Sequence, residues 1–153
     1  MEKSPPRVLD DMRREHRAIG ARLTGLRRLA ASPAAATASH ERLERALDRF
    51  LRVWAPRLGA HLDVERRLVT PRVVGSLPAE TWTLDTFQRE RETFDALFDL
   101  LRDGRGWLER HEPGAEHEVA ATLDDLSSLW GQHVRRLDVI GPLLASLEGP
   151  HRA

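Results

Sequence analysis

Hydrophobic residues recur along this chain at alternating steps of three and four positions, in four separate runs. Steps of this kind place the side chains of one run on the same face of an α-helix, so each run predicts an amphipathic helix. The runs cover residues 9–26, 43–68, 84–101 and 119–147. No segment of the sequence has the strict alternation that is typical of a half-buried β-strand.

Proline and glycine interrupt the pattern between the runs, where they predict connections. The interrupting residues are Pro33, Pro71, Gly75, Pro78 and Pro113-Gly114. Pro56 lies inside the second run and predicts a bend in that helix. Four long amphipathic helices with short breaks favour an all-α, up-down-up-down antiparallel four-helix bundle, and 153 residues are enough for one such domain, 1–153.

Composition excludes several kinds of partner and site. The 24 basic and 24 acidic residues balance, so no overall charge favours binding to nucleic acid or to an anionic membrane. The chain has no cysteine, so any metal site must use nitrogen and oxygen ligands. No apolar run reaches the roughly 20 residues that span a bilayer and the first residues do not form a signal peptide, so we expect a cytoplasmic protein.

An ionisable side chain interrupts the apolar stripe of every helix: His16 in the first, His61 and Glu65 in the second, Arg91 in the third and His133 in the fourth. Burying an unpaired charge costs several kcal/mol, so such residues usually face one another or bind a ligand. At 1.5 Å per residue, His16 and His61 lie roughly 12 to 14 Å from the same end of an antiparallel bundle. A shared polar layer is therefore predicted.

The spacing within the second and fourth helices is informative in different ways. His61 and Glu65 are four residues apart, so they lie on one face and can present an imidazole and a carboxylate to one metal ion. Asp138 is five residues beyond His133, about 140° further round the helix, while Leu137 holds the stripe position. Asp138 therefore needs a rotated helix or a long reach. The remaining histidines, His40, His111, His117 and His151, are predicted to lie on the surface.

Three motifs resemble those of the hemerythrin-like, or HHE cation-binding, family of four-helix bundles with a non-haem iron centre. They are Glu15-His16 in the first helix, the segment from His61 to Glu65 in the second, and the segment from His133 to Asp138 in the fourth. The resemblance implies that His16, His61 and His133 supply nitrogen ligands, and that Glu65 and Asp138 supply carboxylates. It further implies iron as the metal and dioxygen, peroxide or nitric oxide as the ligand that is bound, sensed or detoxified.

The third helix departs from the family pattern. The family motif there carries two histidines four residues apart, and the matching positions in this chain are Phe87 and Arg91. Neither side chain can ligate a metal, because a phenyl ring has no lone pair and a guanidinium stays protonated. We therefore hypothesise that Arg91 replaces a second metal ion and neutralises Glu65 and Asp138.

The sequence leaves several outcomes open. The layer could hold a single Fe²⁺, Mn²⁺ or Zn²⁺, or it could be a buried Arg–Glu–Asp–His network without metal. Two functions compete with metal-dependent ligand binding: a metal-free bundle that acts as an interaction module, and capture of a small anionic molecule by Arg91. The sequence identifies no catalytic residue, and it indicates neither an enzymatic activity nor an oligomeric state.

Overall fold

A computed structural model describes residues 5–32, 37–73 and 84–147 of the chain. All the regular secondary structure in these three ranges is helical. The elements are α1 (Pro5–Ala30), α2 (Thr37–Arg49), a π-helical segment (Phe50–Trp54), α3 (Ala55–Val73), α4 (Leu84–Glu109) and α5 (Ala115–Leu147). Over these ranges, no helix combines the length and the apolar character needed to cross a membrane.

Because α2, the π-helical segment and α3 are continuous, the described residues form four rods. The rod of α1 packs on α5, α5 packs on α4, and the second rod packs on both α1 and α4. Arg27, near the end of α1, pairs with Asp124 in the first part of α5, whereas His16 in the first half of α1 contacts His133 late in α5. These rods therefore run in opposite directions. The prediction of an all-α four-helix bundle is confirmed.

The predicted apolar stripes form the interior of the bundle. Complete burial of one leucine or phenylalanine side chain contributes about 1.5–3 kcal/mol, so the four stripes together drive the packing of the rods. The fully buried members include Ile19, Leu23, Leu47, Leu58, Phe94, Leu101, Leu123 and Leu126, and Leu108, beyond the predicted run on α4, is fully buried as well. The side chains of Leu9, Leu68, Leu84, Ile140, Leu144 and Leu147, at the ends of the stripes, lie outside the described residues.

The second rod contains a π-helical turn, wider than an α-helical one, just before Pro56. In a regular α-helix, the ring of Pro56 would meet the carbonyl group of Arg52, four residues earlier. The residues Phe50–Trp54 are instead π-helical, and the Ala55 N–H donates to the Phe50 carbonyl, five residues back. The sequence predicts a bend at Pro56, and what the structure shows is this π-helical segment just before Pro56, which is the second residue of α3.

Two helices continue beyond the apolar runs that predict them, which end at residues 68 and 101. The helix α3 includes Pro71 and ends at Val73. Pro71 has no N–H to donate to the carbonyl four residues earlier, so α3 continues through it with one backbone hydrogen bond fewer. Gly75 and Pro78 lie outside the described residues. The helix α4 continues through Gly104, where a Cβ atom would stand 2.6 Å from Cγ2 of Val119, so the glycine permits α4 and α5 to approach closely.

The helix α4 ends in a left-handed turn before Pro113. The Glu112 N–H donates to the Trp107 carbonyl and the His111 N–H donates to the Leu108 carbonyl, both at 3.0 Å. His111 has a φ of 52°. This pair of hydrogen bonds is the Schellman motif, which satisfies carbonyl groups that the end of a helix leaves unpaired. The break predicted near Pro113 is therefore built by the residues before it.

His40 is the one histidine predicted on the surface that the described structure places in the interior. Its side chain is 11% exposed, with Nδ1 2.7 Å from Glu116 Oε1 and Nε2 2.6 Å from the Leu108 carbonyl oxygen. It thus joins the start of α2 to α4 and α5. Of the others, His111 and His117 are exposed, and His151 lies outside the described residues.

Candidate metal centre

Glu65 lies at the centre of a buried polar layer. Its carboxylate, on α3, has no exposed surface. The Oε1 atom lies 2.9 Å from His16 Nε2 and 2.8 Å from His61 Nε2, and the Oε2 atom lies 2.8 Å from His133 Nε2. Since these histidines belong to α1, α3 and α5, three of the four rods meet at one carboxylate.

The residues of the layer lie on the apolar, inward-facing side of their helices. His16 lies between the buried residues Met12 and Ile19 on α1, so it shares their inward face. His61 and Glu65 are one turn apart on α3 and project together. The potential ligand atoms of His16, His61, Glu65 and His133 all lie within 4.8 Å of one another, and all four residues are buried. The structure therefore brings together four of the five predicted metal ligands.

The atoms of this layer approach one another without completing a hydrogen-bond network. His61 Nε2, His133 Nε2 and Glu65 Oε2 are buried, and within the described residues none of them has a hydrogen-bond partner with acceptable angles, although the N···O separations are only 2.8 Å. A buried polar atom without a partner costs about 1–3 kcal/mol. A cation among these atoms would satisfy all three, so the donor set fits a metal ion.

The protonation of the layer follows from burial and from the paired charges. Burial alone would raise the pKa of Glu65, but its contacts with His133, His16 and His61 outweigh burial and hold that pKa well below its usual range. Burial alone would lower the pKa of His133, but Glu65 and Glu90 on its two ring nitrogens raise that pKa to about 9. A metal ion bound here replaces a proton on the imidazole, because a ligating nitrogen must be deprotonated.

Aromatic side chains close the layer on the side of the apolar core. The ring of Trp130 stacks on His133 with centroids 5.1 Å apart and an interplanar angle of 24°. Trp130 also meets His16 edge to face at 5.3 Å, and Phe94 meets His133 at 6.2 Å. These contacts fix the planes of two imidazoles and keep the surroundings of Glu65 apolar.

A family model described as the Hemerythrin HHE cation binding domain matches residues 7–144. The match spans nearly all of the chain and includes the four residues of the buried layer. This chain belongs to the hemerythrin HHE family. Hemerythrin HHE domains bind metal, and they bind small ligands through the metal site. No curated protein and no solved structure matches the chain significantly.

In this hemerythrin HHE domain, Asp138 does not reach the layer, which corrects its prediction as a ligand. Asp138 is exposed, whereas Leu137 is 8% exposed and occupies the inward position. Five residues of α-helix turn the chain by about 140° beyond a full turn, and the helix is not rotated to compensate. The carboxylate of Asp138 therefore faces solvent.

The hypothesis that Arg91 neutralises the buried carboxylates is also wrong. Its guanidinium donates to the Gly59 carbonyl oxygen and to Asp63 Oδ1, each at 3.0 Å, and to Asp95 at 3.1 and 3.2 Å. Both carboxylate partners, Asp63 and Asp95, are exposed, and the Arg91 side chain is itself 32% exposed. Arg91 thus ties α4 to α3 outside the polar layer.

Glu90, which the sequence reasoning missed, takes the inward position next to Arg91. It is 6% exposed; its Oε2 lies 3.2 Å from His133 Nδ1, and its Oε1 accepts a hydrogen bond from Arg136 Nη1 at 3.0 Å. A stripe through the buried residues Phe87 and Phe94 admits either position 90 or position 91, because both give steps of three and four. The signal that could have identified Glu90 is therefore the presence of an acid at one of two equivalent positions.

Proposed function

We propose that this hemerythrin HHE domain holds one divalent iron ion through His16, His61, His133 and Glu65, and binds dioxygen, peroxide or nitric oxide there for sensing or detoxification. The observation that supports the proposal is the convergence of three imidazole Nε2 atoms and one carboxylate, from three rods, in a buried layer. The same donors also suit Mn²⁺ and Zn²⁺. The choice of iron rests on the resemblance to the family.

The residues of the layer have distinct tasks in this function. Bound iron would be held by His16, His61, His133 and Glu65, and it would supply a redox-active centre able to bind a small ligand. Glu65 would offset part of the charge of the cation. The three imidazoles, which belong to three different rods, would hold the cation in place. Trp130 and Phe94 restrict water around His133, which favours a small uncharged ligand over bulk solvent.

Metal content of the purified protein tests the first half of the proposal. Protein from iron-supplemented cells, purified anaerobically without chelators, should carry about one iron per chain by mass spectrometry of the metals. The Glu65→Gln variant, which keeps the volume of the side chain but removes its charge, should lose most of that iron. The matched control is Asp138→Asn on the exposed face of α5, which should retain the full content.

Ligand binding tests the second half. Anaerobic titration of the ferrous protein with nitric oxide, followed by absorption and electron paramagnetic resonance spectroscopy, should give new signals that saturate at one equivalent per iron. Dioxygen or hydrogen peroxide should change the absorption of the iron-loaded protein and leave that of the Glu65→Gln variant unchanged. An iron-loaded protein whose spectra none of the three reagents alters would contradict the proposed ligand.

A second candidate function is a metal-free bundle that acts as an interaction module. It is favoured by the balance of charge in the layer, where His133 faces Glu65 and Arg136 faces Glu90. Substoichiometric amounts of every metal, with intact helical content by circular dichroism, would support this candidate and contradict ours. Capture of an anion by Arg91 has lost its basis, because that guanidinium already pairs with two carboxylates.

A further inference from the structure

Glu90 is a buried carboxylate that the proposed ligand set does not use. It lies on α4, the one rod that supplies no metal ligand among the described residues, and its side chain is 4% exposed. Its two oxygens face different residues of α5: Oε2 faces His133 Nδ1 at 3.2 Å and Oε1 faces Arg136 Nη1 at 3.0 Å. Burying a carboxylate costs free energy, and here both of its oxygens are paired. A function for Glu90 would explain why the bundle keeps this buried charge.

We propose that Glu90, held by Arg136, is a positioning residue of the metal centre: it fixes the tautomer and the ring orientation of His133. This inference rests on the proposed function. A neutral imidazole has one N–H and one lone pair, and a carboxylate at Nδ1 accepts the N–H. The lone pair is then on Nε2, the atom that lies 2.8 Å from Glu65. Carboxylates in this position orient histidine ligands and increase their basicity.

The geometry of α5 explains why Arg136 and His133 contact the same carboxylate, that of Glu90. His133 and Arg136 are three residues apart, so both face α4. Glu90 therefore receives an imidazole N–H on one oxygen and a guanidinium N–H on the other. Because a guanidinium does not lose its proton, Arg136 compensates the buried charge of Glu90 permanently. The carboxylate is thereby held at His133 and is not a competing ligand for the ion in the layer.

Trp130 completes the restraint on the His133 ring. Its indole stacks nearly parallel on the imidazole, with an interplanar angle of 24°. Stacking fixes the plane of the ring but permits a half-turn about the Cβ–Cγ bond, which would exchange the positions of Nδ1 and Cδ2 and those of Nε2 and Cε1. Only the orientation with Nδ1 towards Glu90 keeps the contact with that carboxylate, so stacking and the carboxylate together specify one orientation.

Metal affinity tests the inference, with Co²⁺ as a probe and with Fe²⁺ under anaerobic conditions. The dissociation constant is measured by competition with a chromophoric chelator for Glu90→Leu, Glu90→Gln and Arg136→Gln. The matched controls are Glu92→Gln and Arg135→Gln, neighbours that the structure places on exposed faces. We expect Glu90→Leu to weaken metal binding by about 10- to 100-fold. Glu90→Gln should weaken it less, because an amide oxygen still accepts the N–H, and the controls should stay within twofold.

Two further measurements separate positioning from a merely structural role. At full occupancy, the visible absorption bands of bound Co²⁺ should shift in Glu90→Gln and stay unchanged in Glu92→Gln, because only the first changes the basicity of a ligand. The metal-induced rise in melting temperature should shrink in the Glu90 variants, whatever the melting temperature of the metal-free protein. A variant of Glu90 that folds and binds Co²⁺ with unchanged affinity and spectrum would overturn this inference alone. Failure of the unmodified protein to bind either metal would overturn the proposed function as well.

Discussion

Two buried carboxylates of this bundle differ in what surrounds them, and the difference assigns their chemistry. Glu65 faces three imidazoles, which can release protons and offer lone pairs to a cation. Glu90 faces Arg136, whose guanidinium remains charged at every relevant pH. The layer therefore has one carboxylate available to a metal ion and one already neutralised. This asymmetry supports a site for a single ion.

His111 is a residue whose replacement should stabilise the fold. It has a φ of 52° at the position of the Schellman motif that glycine favours. A left-handed conformation costs a residue with a Cβ atom about 1–2 kcal/mol, and the greater entropy of unfolded glycine offsets part of that. We therefore expect His111→Gly to raise the free energy of unfolding by about 0.5 kcal/mol, after the loss of its ring contact with His40 at 4.8 Å. Urea denaturation measures the change.

The same substitution at His117 is the control for that prediction. His117 is also exposed, but it lies within the first turns of α5, where glycine is a poor helix former. His117→Gly should therefore lower the free energy of unfolding. If both substitutions changed stability in the same direction, the left-handed conformation of His111 would not be the cause.

At the level of helices, the contact of α4 with α5 depends on the missing side chain of Gly104. A Cβ atom there would stand 2.6 Å from Val119 Cγ2, a distance that real contacts do not reach. We expect Gly104→Ala to separate the helices locally and to cost about 1–3 kcal/mol of stability, measured by urea denaturation. Alanine is otherwise the better helix former, so a loss of stability would directly report the steric conflict.

Gly25, in α1, provides the matched control. A Cβ atom at Gly25 would have no atom within 4 Å outside its own local helix backbone. Gly25→Ala should therefore stabilise the protein by about 0.5–1 kcal/mol through helix propensity alone. Stabilisation by both substitutions would contradict the close packing of α4 against α5.

The helical pattern also defines how far the sequence could predict the site. A stripe with steps of three and four identified the inner faces, and so it brought out His16, His61 and His133. It could not choose between Glu90 and Arg91, because adjacent positions at the edge of a stripe fit equally well. Asp138 failed for a different reason: its motif resembles that of the family, but the rotation of α5 turns the carboxylate outward. Rotation of a helix is decided by packing, which the sequence of one helix does not contain.

For the whole molecule, two of the polar contact sites that join the rods are largely shielded from solvent, and they lie far apart along the bundle. The layer around Glu65 joins α1, α3 and α5, whereas His40 joins the start of α2 to the end of α4 and the start of α5. Sequence reasoning did not predict the second site, because His40 precedes the apolar run of its helix. Its interior position depends on the turn after α4, which brings Leu108 and Glu116 together.

His40 makes the stability of this end of the bundle depend on pH. Its hydrogen bond to Glu116, and then that to the Leu108 carbonyl, raise the pKa of His40 above 6.5 despite partial burial, and His40 in turn lowers the pKa of Glu116. Both partners only accept hydrogen bonds, so the ring donates from both nitrogens and is protonated. Besides Glu116, Glu44 on its own helix and the ring of His111 face it.

The sign of the effect follows from the direction of the shift. Because the pKa of His40 is higher in the folded state, its contribution to stability is complete below about pH 6.5 and is lost as the pH rises through the folded pKa. We therefore expect the stability difference between the unmodified protein and His40→Gln, measured by urea denaturation, to shrink from pH 6 to pH 9. His133, whose pKa is also raised, is present in both proteins, so its contribution cancels from the difference. The exposed variant His117→Gln should give no such change, and a His40 difference that stayed constant across this range would show that folding does not raise the pKa of His40.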